Sequence, residues 1–161
     1  MNNFKISFLK DVSFEQFKSF LDSLDEERKS WSLDLQNFKD EREFYNGMSE
    51  HIFQCIVMLD NDKIIALISS YTVILNEKTS KRAEISFVVK KGYQGRGLGT
   101  EMLLQIEEVL LNNGWHNQIC GKHYIDNIGS HKAFLKAGYV EASFVDGSNI
   151  PNMVWKLKEI K

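Results

Sequence analysis

The segment of this chain best suited to chemistry is Gln94-Gly95-Arg96-Gly97-Leu98-Gly99-Thr100, where glycine recurs at alternate positions ahead of an apolar periodic stretch. Glycine accepts positive φ and lets the backbone approach a ligand closely, while the unpaired N–H groups and dipole of a helix's first turn favour a diphosphate. Arg96, Lys90 and Lys91 add positive charge beside it. The spacing is not that of a Walker loop, because no Lys-Ser/Thr follows the last glycine. Nor is it the dinucleotide G-x-G-x-x-G, because the third glycine comes one residue early. On its own, such a turn also reads as a plain strand-to-helix connector.

A ligand-binding turn needs a strand before it and a helix after it, and the flanking pattern supplies both. Residues 83–89 are apolar and β-rich. After the glycines, Leu98, Met102, Leu103, Ile106, Val109 and Leu110 fall on one helical face, with Gly114 placed to end it. Upstream, residues 52–59 and 64–73 are β-rich runs joined by Asp60-Asn61-Asp62-Lys63, so three consecutive antiparallel strands are implied. Such a meander is not the opening of a dinucleotide-binding βαβ unit.

Phe4, Ile6 and Phe8 alternate as a first strand. Ser13 is an N-cap with Gln16 three residues on, and Val12 and Phe17 are placed as a hydrophobic staple, predicting a helix that buries Phe17, Leu21 and Leu24. Residues 25–50, with Leu35, Phe38, Phe44, Tyr45 and Met48, read as a looser helical segment approached by Trp31. Residues 119–124 form a strand. Asp126 or Asn127 caps a helix running to Ala137 with Gly138 as its stop, and residues 139–145 and 153–157 form a last hairpin around Asp146-Gly147. The order is βααβββαβαββ. With no repeat, low-complexity tract or linker, the expectation is one α/β (α+β) domain over residues 1–161, with a mixed, mostly antiparallel sheet of about seven strands and about four flanking helices.

With Val89 five residues ahead of Gln94, the Gly-rich segment resembles the signature of the GCN5-related N-acetyltransferase (GNAT) superfamily, Gln/Arg-x-x-Gly-x-Gly/Ala after a strand bearing a valine. Gln94, Gly97 and Gly99 fill that pattern. The segment from Asn127 to Tyr139 resembles a second stretch of the superfamily, with Asn127, Ser130, Lys136, Gly138 and Tyr139 matching in register. Two signals about 30 residues apart in the expected order are far more specific than either alone. The first 50 residues match only in having a strand and two helices.

The resemblance implies a GNAT-like fold. It implies that main-chain groups of Val88, Val89 and the stretch Gln94, Gly95, Arg96, Gly97, Leu98, Gly99 and Thr100 hold the pantetheine arm and pyrophosphate of acetyl-CoA. Asn127, Ser130, Phe134 and Lys136 complete that set, and Lys132 and Lys136 face the 3′-phosphate or adenine side or are simply solvated. It further implies a cofactor wedged where two central strands splay, a backbone N–H near Val89 on the thioester oxygen, and direct attack by the amine in a ternary complex.

Glu84 is then the first choice for general base, directly or through water; the competing reading is an exposed carboxylate paired with Arg82 or Lys81. Phe134 stands where many members carry a tyrosine that protonates the departing thiolate, which phenylalanine cannot do; it lines the thioester pocket or fills the core. Tyr124 is the better substitute acid, ahead of His123, while His116 and His131 read as surface residues. The four histidines and two cysteines show no ligand spacing, so no metal is expected.

Composition bounds the partners. A net charge of -2 argues against a general nucleic-acid or membrane-surface binder. Residues 1–80 carry nine Lys/Arg against fourteen Asp/Glu, and residues 81–161 eleven against eight, so an anionic ligand is better sought in the second half. Cys55 and Cys120 read as buried thiols, and with no leader-like or membrane-length apolar run the default location is cytoplasmic. The leading expectation is acetylation of the primary amine of a small molecule. Trp31 and the acidic stretches at 25–27 and 34–43 bias the acceptor rim toward a cation or are merely solvated. Alternatives are a protein lysine or N-terminal acetyltransferase, a non-catalytic acyl-CoA sensor, and nucleotide binding by an unrelated α/β protein. The resemblance also implies homodimerisation as a common assembly, though no residue here shows one.

Overall fold

The computed structural model describes residues 4–25, 39–47, 53–74, 81–115, 117–142 and 152–160. The alternating start forms β1 (Lys5–Phe8), and a complete capping box opens α1 (Phe14–Asp22). The Gln16 N–H donates to Ser13 Oγ at 3.1 Å and the Ser13 N–H to Gln16 Oε1 at 2.9 Å, satisfying two donors that a helix start leaves unpaired. Of the looser helical segment, α2 (Glu41–Gly47) is described; it buries Phe44, whose ring stacks on Phe17 of α1 at 5.7 Å. Trp31, Leu35, Phe38, Met48 and the 34–38 part of the acidic stretch lie outside the described residues.

The meander follows as β2 (Phe53–Asp60), β3 (Lys63–Ile74) and β4 (Lys81–Val89). Its first turn has two residues, Asn61 at φ 46 and Asp62 at φ 65, a left-handed pair whose twist matches the flanking strands and which Asn and Asp tolerate. Then come α3 (Leu98–Asn112), β5 (Gln118–Tyr124), α4 (Ile128–Lys136), β6 (Val140–Ala142) and β7 (Met153–Glu159), in the element order expected. Asn127, not Asp126, caps α4, accepting the Ser130 N–H at 3.0 Å. Asp146-Gly147 and His116 lie outside the described residues.

One sheet runs β1-β2-β3-β4-β5-β7-β6, antiparallel throughout except between β4 and β5. The period of two buries residues on both faces. Ile56, Ile68, Ile85 and Ile119 meet Met102, Leu103 and Ile106 of α3 and Phe134 of α4. On the opposite face Val57, Leu67 and Val88 meet Phe17, Leu21 and Phe44 of α1 and α2. Cys55 and Cys120 are both buried and form no disulfide. No helix among the described residues is long and apolar enough to cross a membrane.

The parallel join positions the site. β4 and β5 pair only from Arg82 with Gln118 to Ile85 with Gly121; beyond that their C-terminal ends part, opening the centre of the sheet.

Candidate active site

Backbone alternation decides what faces this opening. The Lys90 N–H donates to Ile65 O at 2.8 Å, on the β3 side. Val88 therefore turns its backbone the same way, and Phe87 and Val89 turn theirs toward the opening. The Val89 carbonyl is taken by the Gln94 side-chain amide at 2.9 Å, which folds the turn back over the end of β4 and leaves the Val89 N–H as a donor aimed inward.

The glycines divide by job. Gly95 (φ +74) and Gly97 (φ +81) have open space where a Cβ would stand, so left-handed backbone, not crowding, requires glycine there. Gly97 is the N-cap of α3, and the Glu101 N–H closes the first turn on Gly97 O at 3.1 Å. Helix geometry leaves the N–H groups of Leu98, Gly99 and Thr100 for a ligand. Gly99 serves packing: a Cβ there would lie 3.0 Å from the Phe87 ring and 3.3 Å from Ala133 Cβ, so its absence lets α3 close onto β4 and α4.

The walls enclose a cleft of about 710 Å³, within the range of ligand sites. Val88, Val89, Gln94, Gly95, Gly97, Leu98, Gly99 and Thr100 line it on one side, and Asn127, Ser130 and Lys136 on the other. Lys91 and Lys132 add cations to that lining. This donor set fits a diphosphate-bearing ligand: unpaired helix N–H groups, nearby ammonium groups and the Val89 N–H facing the same opening.

Phe87 and Tyr93, which sequence reasoning did not single out, also line the cleft. Tyr93 anchors the turn: its hydroxyl donates to Asp60 Oδ2 at 2.8 Å and its ring meets Phe4 at 6.2 Å. That hydrogen bond, with burial second, pushes the Tyr93 hydroxyl pKa up. Arg96 is exposed and lies over the Tyr93 ring at 5.3 Å, outside the lining. The signal for Tyr93 was an aromatic inside a Gly-rich turn.

Phe134 is 1% exposed and is not part of the cleft wall. Its ring packs against Phe87, Tyr139 and His123 with centroids 5.5, 5.1 and 6.0 Å away. It occupies the space a side chain at Gly121 would need.

Glu84 is buried, not exposed, with both oxygens engaged. Oε1 accepts from Arg82 Nε at 3.1 Å and Nη2 at 2.9 Å, and Oε2 accepts the Tyr71 O–H at 2.7 Å. Arg82 is 4% exposed, so the ion pair is shielded from water.

Alternation puts His123 and Tyr124 on opposite faces. His123 lies beneath α4, and its Nδ1–H donates to the Tyr124 carbonyl at 2.7 Å, leaving Nε2 as a buried lone pair with no partner among the described residues. Burial holds its pKa below the usual imidazole range. His131 is half-buried, not on the open surface as expected, with its ring 5.6 Å from that of His123 and its Nδ1 4.0 Å from Glu141. Tyr124 is half-buried at the end of β5, on the Glu84 side. Among the described residues no group of His, Cys, Asp and Glu is placed to hold a metal ion.

Residues 17–139 match the model of the Acetyltransferase (GNAT) family. No curated protein matches the chain. The GNAT domain of S. lividans PAT is similar over 96% of this chain and 89% of its own, with 17% identity and a TM-score of 0.78. A GNAT-family acetyltransferase from Streptococcus pneumoniae is similar over 98% of this chain and 100% of its own, with 18% identity and a TM-score of 0.76. The aminoglycoside acetyltransferase AAC(6′)-Ib, in complex with coenzyme A and kanamycin, is similar over 98% of this chain and 95% of its own, with 13% identity and a TM-score of 0.70. These structures share the fold, and the family model spans the Gly-rich turn and the Asn127 helix: the chain belongs to the acetyltransferase (GNAT) family.

Proposed function

We propose that this chain is one domain over residues 1–161 that transfers an acetyl group from acetyl-CoA to the primary amine of a small molecule, by direct attack in a ternary complex. The observation that carries the reading is the opening between β4 and β5, with the Val89 N–H turned into it and the unpaired N–H groups of α3 at the other end of the same cleft. Leu98, Gly99 and Thr100 bind the diphosphate, and Lys91, Lys132 and Lys136 meet the remaining phosphate charge. The Val89 N–H polarises the thioester carbonyl as negative charge develops on its oxygen. A small-molecule acceptor is favoured by AAC(6′)-Ib, whose structure holds kanamycin.

Glu84 takes the amine proton through the Tyr71 hydroxyl, which already donates to it, while Arg82 holds the carboxylate in place through Oε1. Tyr124 supplies a proton to the departing thiolate, the task Phe134 cannot perform.

Calorimetric titration with acetyl-CoA tests the reading. Wild type should bind at micromolar Kd, Gly97→Glu should not, and Gly97→Ala, which bears the same backbone strain without the charge, should weaken binding only modestly. Thiol release should then follow addition of small amines and fall at least about tenfold in Tyr124→Phe with acetyl-CoA affinity unchanged. Binding of ATP or NAD but not of acetyl-CoA or CoA would overturn it.

A further inference from the structure

The sheet face opposite α3 and α4 carries a cation, Lys122, that makes no ion pair among the described residues. Register places Tyr71 of β3 next to Glu84 of β4, and Glu84 next to Cys120 of β5. Period-two alternation then sets Arg82, Glu84, Lys122 and Tyr124 on that one face. Arg82 and Glu84 neutralise each other across 2.9 Å. Lys122 does not share in this: it makes no ion pair with any described carboxylate.

Gly121 is the last β5 residue paired with β4, so Lys122 is the first beyond the join, on the sheet face opposite α3 and α4. Trp155, its cross-strand partner on β7, is 6% exposed and holds the ammonium 5.1 Å from its ring centre. The Arg82 guanidinium lies 5.3 Å from the same ring. A cation over an indole face is held, not swept through water, and half-burial raises the value of any anion that reaches it.

Resting on the transferase reading above, we propose that the acceptor is an amine that also carries a carboxylate, bound by Lys122 while the amine attacks beside Val89. A side-chain lysine within a protein has no such group next to its amine, so this acceptor class separates the small-molecule reading from the protein one. Among the described residues this face holds one ion pair that cancels and one ammonium left over, a charge that favours an anion over the cation suggested by the acidic stretches in the sequence.

The test is thiol release with a panel of amino acids, each paired with the amine it gives on decarboxylation. In wild type the acid of each reacting pair should be favoured in kcat/KM by at least about tenfold. Lys122→Met should reduce the preference to within about threefold and Lys122→Glu should invert it. Acetyl-CoA affinity should stay at the wild-type value in both. Equal rates for the paired compounds in wild type, or a preference that survives Lys122→Glu, would overturn the acid requirement and leave the transferase reading standing. Acetyl-CoA binding without thiol release from any panel member, peptide lysine or aminoglycoside would remove the transferase reading and this inference with it.

Discussion

Gly121→Ala probes the packing that holds the opening. A Cβ at this position would stand 2.5 Å from Phe134 Cζ, 2.8 Å from Cε1 and 3.3 Å from Ile85 Cγ1. The ring has little room to retreat, being closed in by Phe87, Tyr139 and His123. Overpacking a core costs about 1–3 kcal/mol, and two contacts under van der Waals distance to a confined ring put this case near about 2–3. Gly121 does not have positive φ, so alanine recovers about 0.5–1 kcal/mol by restricting the unfolded chain. The net loss is about 1–2.5 kcal/mol, a fall of roughly 2–10 °C in Tm for a chain of this size. Displacing Phe134 also shifts α4, which brings Asn127, Ser130 and Lys136 to the cleft, so acetyl-CoA affinity should weaken in step. Urea unfolding and calorimetry on Gly121→Ala, Phe134→Leu and the double variant measure both effects. The shorter leucine should relieve the clash, with a coupling energy of about 1 kcal/mol or more. A Gly121→Ala protein as stable as wild type, or more so, would refute the reasoning.

Tyr93→Phe removes the donor that ties the turn to Asp60 and should weaken acetyl-CoA binding by about threefold to tenfold, about 1 kcal/mol; unchanged calorimetric affinity would rule out the anchor. Arg82→Met strands a buried carboxylate at Glu84 and should cost about 3 kcal/mol in urea unfolding, whereas a loss under about 1 would show that the pair is not shielded. For His123, burial lowers the folded pKa below its ordinary 6.5, so on acidification the unfolded chain takes the proton first. Its contribution is complete above that ordinary value and is lost as pH falls from there through the folded pKa. Unfolding curves at about pH 7.5 and about pH 5.5 should diverge more for wild type than for His123→Phe, and equal divergence would assign the acid sensitivity elsewhere.

Features set by neighbours in the chain were legible before any coordinates. The Ser13–Gln16 capping box, the Asn61-Asp62 turn, the left-handed glycines ahead of α3 and the Asn127 cap each span a few residues. There the preferences of side chain and backbone act without help from the rest of the fold. The period-two and helical patterns likewise carried the element order and the mixed sheet. What the sequence left open was every relation across it. Tyr71 reaches Glu84 over 13 residues and Tyr93 reaches Asp60 over 33, pairings that depend on strand register and the turn's path. The same holds for Glu84, read as a paired surface carboxylate or a free base and found buried between Arg82 and Tyr71. It holds for Phe134, turned from the cleft because Gly121 leaves room for its ring, and for Lys122, whose place over Trp155 depends on the β5–β7 register. Local preference writes the elements; only their packing decides which side chains meet, because burial and pairing energies exist only once distant strands have joined.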